Sequence, residues 1–176
     1  MNLPHWQNLN VLGRNRLPAH ATLIPFESEK KAVQGERGLS DYFKLLSGTW
    51  DFKYADAAAK APKGFEKDGF DTSDWDSIPV PGCWQFFGYD IKNYLNTDVP
   101  FSVMAPQIPY ENPTGCYKRE FTVPENWADK RIILVFDGVC NSFNLWINGT
   151  FAGYSQGSHL PSEFDITDML RDGKNT

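Results

Sequence analysis

The segment 143–154, FNLWINGTFAGY, narrows the folds open to this chain more than any other stretch. Apolar Phe143, Leu145 and Ile147 recur at every second position, which is the periodicity of a β-strand with one face turned inward. Asn148-Gly149 then suits the two positive φ angles of a type I′ turn, and a second aromatic run follows. The segment therefore predicts a β-hairpin.

Short segments elsewhere in the chain carry similar strand signals. Residues 48–54 place three aromatic side chains on one face, and the unbroken apolar run 131–136 predicts a strand buried on both faces. Further strands are predicted at residues 78–80 and 116–123, and the segment 161–170 leads into a polar turn. Short strands with little helix are typical of a β-sandwich or jelly roll, so the predicted fold class is all-β.

Residues 1–40 differ from the rest, because proline and glycine interrupt almost every periodic pattern there. We expect an irregular, extended N-terminal arm with one short helix near residues 29–33, followed by a sandwich domain over residues 41–176. The polar turn at 171–176 is expected to deliver another strand, so the domain is predicted to be C-terminally incomplete, with an unpaired edge. The stretch 82–113 exceeds the usual connection of about 4 to 6 residues, and long ordered loops commonly carry function.

Composition and charge disfavour several classes of partner. The formal net charge is −5 and no cluster of Lys and Arg alternates with aromatic side chains, so we expect no nucleic-acid binding. No window approaches ~18 consecutive apolar residues, and the first residues lack the pattern of a signal peptide, so we expect no membrane contact. Cys83, Cys116 and Cys140 lie far apart without a C-x-x-C spacing, which predicts free thiols and favours a cytoplasmic location.

No residue pattern indicates a catalytic centre, and no catalytic residue is predicted within the chain. A glycosidase needs two carboxylates at a fixed separation, and none of the 22 acidic residues forms a pair that stands out from solvated turns. Residues 84–97 do combine aromatic rings with Asn and Gln amides, which are the groups that stack on pyranose rings and bond sugar hydroxyls. The same aromatic side chains could instead pack the loop onto the sandwich, which is the favoured interpretation for most of them.

Five segments of the chain form a recognisable set. In chain order they are GRNRLPAH at 13–20, VPGCWQFFGYD at 80–90, ENPTGCY at 111–117, FDGV at 136–139 and LPSEFD at 160–165. As a set they resemble the bacterial β-galactosidases of glycoside hydrolase family 2, over nearly the whole chain. The resemblance implies an N-terminal arm and a galactose-binding-like jelly roll, with the two catalytic glutamates in a TIM barrel outside this chain. The parent would then be a retaining enzyme that hydrolyses terminal β-D-galactosyl residues, with this chain inactive by itself.

The resemblance implies that the long loop contacts substrate. Asn96 would reach the galactosyl pocket and Thr97 would line it. An amide suits this task, since it both donates to and accepts from a hydroxyl without adding charge. The implied partners are β-galactosides, the remaining domains of the parent and, through the arm, further copies in a homo-oligomer.

The resemblance also implies a structural magnesium site at the arm. The family's positions map onto Asn8, Val11 and Gln156, with His5 where the family has an aspartate. A neutral imidazole is a poor ligand for a hard cation. Magnesium and sodium are implied for the parent, whereas no cofactor is expected within the chain itself.

Other functions remain open. A free-standing carbohydrate-binding module would hold a saccharide with the aromatic loop alone, and a β-glucuronidase or β-mannosidase would use a similar jelly roll. The arm and the segment 111–117 favour the β-galactosidases over the other two enzymes. In each case the hairpin is expected to be scaffold, with Trp146 packing on its neighbours rather than on sugar.

Overall fold

The strands of this chain are short and antiparallel. The computed structural model describes residues 3–92 and 107–176, and within those ranges it contains one α-helix and ten strands, which confirms the predicted all-β class. The strands are β1 (Gly13–Arg14), β2 (Gly48–Ala55), β3 (Asp76–Val80), β4 (Thr114–Lys118), β5 (Phe121–Thr122), β6 (Ile133–Phe136), β7 (Ser142–Ile147), β8 (Thr150–Gln156), β9 (Ser162–Asp165) and β10 (Lys174–Asn175).

The strands pair in two groups of three and two groups of two. Their orders are β1-β8-β7, β3-β2-β4, β6-β9 and β10-β5. In the second group β2 is central, and Phe52 stands opposite Asp76 of β3 and Tyr117 of β4. The aromatic side chains of β2 therefore lie in the middle of a sheet.

The hairpin predicted around Asn148-Gly149 is present. β7 and β8 pair on either side of it, and the two turn residues have φ angles of 50° and 81°, as a type I′ turn requires. The register shifts between Leu145 and Trp146, which leaves Ala152 without a partner on β7. Trp146 packs edge-on against Phe65, with 5.7 Å between the ring centroids. The expectation that Trp146 is a packing residue is confirmed.

The main core lies against the hairpin and β9. Ile147, Ala152, Phe164 and Ile166 are at most 2% exposed and form one apolar cluster. The partly buried side chains packed on this cluster are Phe121, Ile132, Leu134, Phe136, Phe143, Leu145, Met169 and Leu170. Burying such side chains contributes about 25 cal/mol per Å² of apolar surface, so this cluster is a main source of stability.

β6 differs from its prediction. The apolar run 131–136 predicted a strand with two buried faces, but Val135 is 48% exposed. Within the described residues β6 pairs with β9 alone, at the edge of a two-stranded antiparallel group. One face of such a strand can stay open to solvent. The prediction of two buried faces is therefore wrong.

The predicted helix is present as α1 (Glu29–Gln34). The Ser28 side chain accepts a hydrogen bond from the backbone N–H of Lys31 at its start, and Gly35 ends it at φ 70°. The strand predicted over residues 116–123 is divided into β4 and β5. In the ranges that the structure describes, no helix is long and apolar enough to cross a membrane.

Candidate functional site

An aromatic cluster joins the sheet β3-β2-β4 to the start of the long loop. β2 presents Phe52 and Tyr54 on one face, because side chains two residues apart in a strand share a face. Trp84 and Tyr89, from a 3-10 helix and the turn that follows it, pack on these rings. The Tyr89 ring centroid lies 4.8 Å from that of Phe52, edge-on, and 6.0 Å from that of Tyr54. Tyr117 of β4 completes the cluster, 4.8 Å from Phe52.

Gly115 leaves the space that this cluster occupies. A Cβ atom at this position would lie 2.8 Å from the rings of both Phe52 and Trp84, and 2.9 Å from the ring of Tyr117. Separations under 3.0 Å are essentially never seen for real Cβ atoms, so a larger residue here would displace the cluster. The first part of the loop is therefore fixed on the sheet through a glycine.

The tyrosine hydroxyls of the cluster are weaker acids than ordinary phenols. Burial is the main cause: it raises the pKa of Tyr117 to about 12 and also raises the pKa of Tyr54 and Tyr89. The carboxylate of Asp76 raises the pKa of the Tyr89 phenol further. At neutral pH these groups can donate hydrogen bonds but cannot act as bases.

The described parts of the loop, at both of its ends, also expose apolar side chains. Phe86 and Ile91 are each 70% exposed, and Tyr110, beyond residues 93–106, is 68% exposed. The Lys92 ammonium lies 4.8 Å from the centroid of the Phe86 ring. Packing on the sheet therefore accounts for Trp84 and Tyr89 of the loop, while Phe86 remains accessible to a ligand or to another protein surface.

The predicted substrate residues Asn96 and Thr97 lie outside the described residues. Earlier in the loop, Trp84 and Tyr89 pack in the aromatic cluster, and the chain is described again from Gln107, shortly before β4. The roles of Asn96 and Thr97 stay predictions.

The residues implied for a magnesium site lie in the arm and on β8. Asn8 Oδ1 accepts a hydrogen bond from a backbone N–H two residues later at 3.1 Å, and Val11 donates its N–H to the Asn8 carbonyl at 2.9 Å. Gln156 Oε1 accepts a hydrogen bond from the Tyr154 hydroxyl at 2.6 Å. In the described part of the chain, no three His, Cys, Asp or Glu side chains gather closely enough to hold a metal. Magnesium prefers octahedral oxygen ligands that include carboxylates, so this donor set, with His5 in the position of the acid, does not fit it.

Some carboxyl groups have perturbed pKa values, and the resolved shifts are all downward. They belong to Glu27, Asp68, Asp71 and Asp165. The pKa of Asp165 falls to about 2, because its carboxylate accepts hydrogen bonds from Thr167 and Arg131. The acid of a glycosidase needs a raised pKa, so these four groups are unsuited to protonate a leaving group.

The class of this all-β domain is identified by comparison with known families. Residues 43–176 match the family described as glycosyl hydrolases family 2, sugar binding domain. The match covers well over half of the chain. The chain therefore belongs to this family.

Individual relatives extend the comparison to the arm. The β-galactosidase of Priestia megaterium is 40% identical over 179 aligned residues, which cover 98% of this chain and 17% of the relative. A β-galactosidase of Vibrio vulnificus is 41% identical over 172 residues, covering 97% of this chain and 16% of the relative. The solved structure of the Lactobacillus rhamnosus β-glucuronidase is 28% identical with a TM-score of 0.56, covering 75% of this chain and 20% of that one. The chain thus spans 16 to 17% of the length of these curated relatives.

One contact of the arm was not predicted from the sequence. His5 packs against the rings of Phe151 and Tyr154 on β8, whereas the sequence indicated His5 only as a replacement for a metal ligand. The contact joins opposite ends of the chain, so no local periodicity reports it. The available indication was the resemblance, which places His5 and Gln156 in one implied site and so brings this part of the arm close to β8.

Proposed function

We propose that this chain is the sugar-binding domain of a β-galactosidase, and that the parent enzyme hydrolyses terminal β-D-galactosyl residues. The observation that carries the proposal is the extent of the likeness. Identity of 40% to the Priestia megaterium β-galactosidase runs over 98% of the chain. Identity to the Lactobacillus rhamnosus β-glucuronidase is 28% over 75% of the chain. The closer and longer match favours β-galactosides over β-glucuronides as substrates of the parent.

In this function the domain supplies one wall of the substrate pocket, and the catalytic glutamates come from elsewhere in the parent. Asn96 reaches the galactosyl pocket from the loop 82–113, and Thr97 lines the same pocket. The cluster around Phe52 supports this role, because it fixes the part of the loop that leads to these residues. A polar group contributes most when its position is fixed before the substrate binds.

A pair of chimeras tests the proposed enzyme class. This chain would replace the matching segment of the Priestia megaterium β-galactosidase in one chimera, and that of the Lactobacillus rhamnosus β-glucuronidase in the other. We expect the first to hydrolyse a chromogenic galactoside and the second to have lost turnover of the corresponding glucuronide, because the domain fits the remainder of a β-galactosidase. An active glucuronidase chimera beside an inactive galactosidase chimera would overturn the proposal.

The same galactosidase chimera tests the predicted pocket residue. Asn96→Ala removes an amide bonded to a sugar hydroxyl, and we expect kcat/KM to fall by about 10- to 100-fold. Asn93→Ala, in the same loop, is the matched control and should leave kcat/KM unchanged. Equal kinetics for the two variants would remove Asn96 from the substrate site.

The exposed aromatic rings favour one alternative function, a carbohydrate-binding module that acts alone. Phe86 and Tyr110 are exposed at the loop, as the stacking residues of such a module would be. Calorimetric titration of the isolated chain with a methyl β-galactoside separates the two functions. A domain that depends on its parent gives no measurable heat, whereas a binding module gives an affinity that Phe86→Ala abolishes.

We also propose that the arm contributes contacts between subunits of a homo-oligomeric parent. Leu9, Leu12 and Leu23 of the arm are 72%, 56% and 78% exposed, and exposed apolar side chains in one segment suit a partner surface. Deleting residues 1–40 from the parent should shift it to smaller oligomers in sedimentation. If sedimentation showed the same number of subunits with and without residues 1–40, this role would be contradicted.

A cytoplasmic location goes with the proposed function. Cys83 and Cys140 are exposed free thiols, which a reducing compartment preserves. Cell fractionation that finds the parent enzyme among secreted proteins would contradict this location.

A further inference from the structure

The arm docks along the outer side of β8 through a short ladder. β1 pairs with β8, with Gly13 opposite Ser155 and Arg14 opposite Tyr154. Next to this ladder, the Asn15 side chain donates to the Ala152 carbonyl at 3.1 Å, and an Arg16 guanidinium N–H donates to Ser155 Oγ at 2.9 Å. These hydrogen bonds fix residues 13–16 on the domain. They do not involve the residues that precede β1.

Among the residues before β1, His5 makes an aromatic contact with β8. It begins a 3-10 helix, His5–Gln7, and its ring centroid lies 5.1 Å from that of Tyr154 and 5.8 Å from that of Phe151. Both interplanar angles are 46°, so the imidazole is tilted against two rings of the same strand. Tyr154 is 0% exposed, although it lies under an irregular segment. The half-buried His5 is part of its cover.

The polar atoms around this contact are satisfied without a metal. The Tyr154 hydroxyl donates to Gln156 Oε1, and Asn8 Oδ1 accepts a backbone N–H. Both side-chain oxygens that the resemblance implies as ligands therefore already accept hydrogen bonds within the protein. The His5 ring packs on Tyr154 and Phe151, and a neutral imidazole is a poor ligand for a hard cation.

We propose that the arm of this chain is held on β8 by an aromatic contact, the His5 imidazole packed on Tyr154 and Phe151, in place of the magnesium site that the resemblance implies. Docking of the arm is then independent of divalent cations. Histidine at position 5, where the family has an aspartate, removes a carboxylate ligand. The same side chain supplies the aromatic ring that joins the arm to β8 instead. This inference concerns how the arm is attached and does not depend on the parent's substrate.

Hydrogen exchange of the arm tests the proposal on the chain as it is. Peptides covering residues 3–17 would be followed by mass spectrometry in excess magnesium and in EDTA. We expect identical exchange in the two conditions for the unaltered chain, and faster exchange by about tenfold for His5→Ala, because local opening follows the loss of packing. His5→Phe should retain the protection, since a phenyl ring can pack on both aromatic side chains and cannot bind a metal. His159→Ala, at an exposed histidine elsewhere, is the control and should change nothing in these peptides.

Three outcomes would overturn the proposal. The first is faster exchange of the arm in EDTA than in magnesium, which would show a bound cation. The second is a loss of protection in His5→Phe equal to that in His5→Ala, which would show that the imidazole nitrogens matter and the ring does not. The third is unchanged exchange in His5→Ala. Each readout reports on the arm alone, so failure here leaves the proposed enzymatic function untouched.

Discussion

One methyl group added at Gly153 should disturb the packing in two parts of the structure. A Cβ atom there would lie 2.6 Å from Cδ1 of Phe164 and 2.7 Å from the backbone carbonyl oxygen of Arg14. Phe164 is 0% exposed and already packs against Phe136 and Phe143, with ring centroids 6.2 and 5.9 Å away. The Arg14 carbonyl belongs to β1, so relieving the second clash moves the arm. Neither neighbour is the free end of a flexible side chain.

The magnitude follows from two opposing effects of Gly153→Ala. Overpacking a core typically costs about 1–3 kcal/mol. Replacing glycine by alanine restricts the unfolded chain and returns about 0.4–1 kcal/mol. With two rigid neighbours in the clash, the cost lies in the upper half of its range, and we expect the free energy of unfolding to fall by about 2 kcal/mol. For a chain of this size that corresponds to a decrease in Tm of about 4–8 °C.

Thermal and urea denaturation followed by circular dichroism measure this change. The control is Gly38→Ala, because a Cβ atom at Gly38 would meet nothing within 4 Å and its backbone is not in the left-handed region. We expect that variant to be as stable as the unaltered chain or slightly more stable. If Gly153→Ala and Gly38→Ala had equal midpoints, the close approach of the arm and Phe164 to β8 would be refuted.

Three further predictions concern ionisable groups. Asp165→Asn should lower the free energy of unfolding at pH 7 by about 1 kcal/mol in urea titrations, a figure discounted for solvent screening. Because the pKa of Asp165 is lowered to about 2, this contribution is present above the ordinary value of 3.8 and is lost as pH falls through the folded value, below which the two proteins should match. The pKa of His20 is raised, because its Nδ1 is hydrogen-bonded to the Ala21 carbonyl and its Nε2 lies 2.8 Å from Glu163. Its contribution is therefore complete below the ordinary value of 6.5 and lost as pH rises through the folded value. Proteolysis of the arm should speed up as pH rises above 6.5, and His20→Ala should abolish that dependence. Burial raises the pKa of the Cys116 thiol to about 11, so a thiol reagent at pH 8 should label only the two exposed cysteines until the chain is unfolded.

Local sequence signals predicted the elements whose geometry is decided locally. The Asn148-Gly149 turn and the helix α1 were both found where the residues indicated them, because turn conformation and helix capping depend on neighbours in sequence. The surroundings of β6 were not predicted, because an apolar run of four to six residues does not report how many faces of a strand are covered. That number depends on which strands pair beside it.

The residue types of the candidate site were visible in the sequence, but the division of their roles was not. Trp84, Phe86 and Tyr89 lie within six positions and share an aromatic character, yet two are packed on β2 while Phe86 is 70% exposed. The difference arises from the direction in which the 3-10 helix Trp84–Phe87 presents each ring. Neither the composition of the loop nor the spacing of its aromatic residues predicts that direction.

Two glycines show what a sequence signal for the irregular segments would have been. Gly115 and Gly153 lie inside strands and lack a positive φ, so no turn requires them, and glycine without a side chain weakens a strand. At Gly115 the close approach comes from the loop ring of Trp84 and from the rings of Phe52 and Tyr117. At Gly153 it comes from the Phe164 ring and from the carbonyl of Arg14 on the neighbouring arm strand β1. A glycine inside a strand of this chain therefore marks a position where a segment without helix or strand periodicity packs closely against the sheet. The arm and the long loop have the weakest local signals in the chain. The positions at which they pack are indicated by the glycines of β8 and β4.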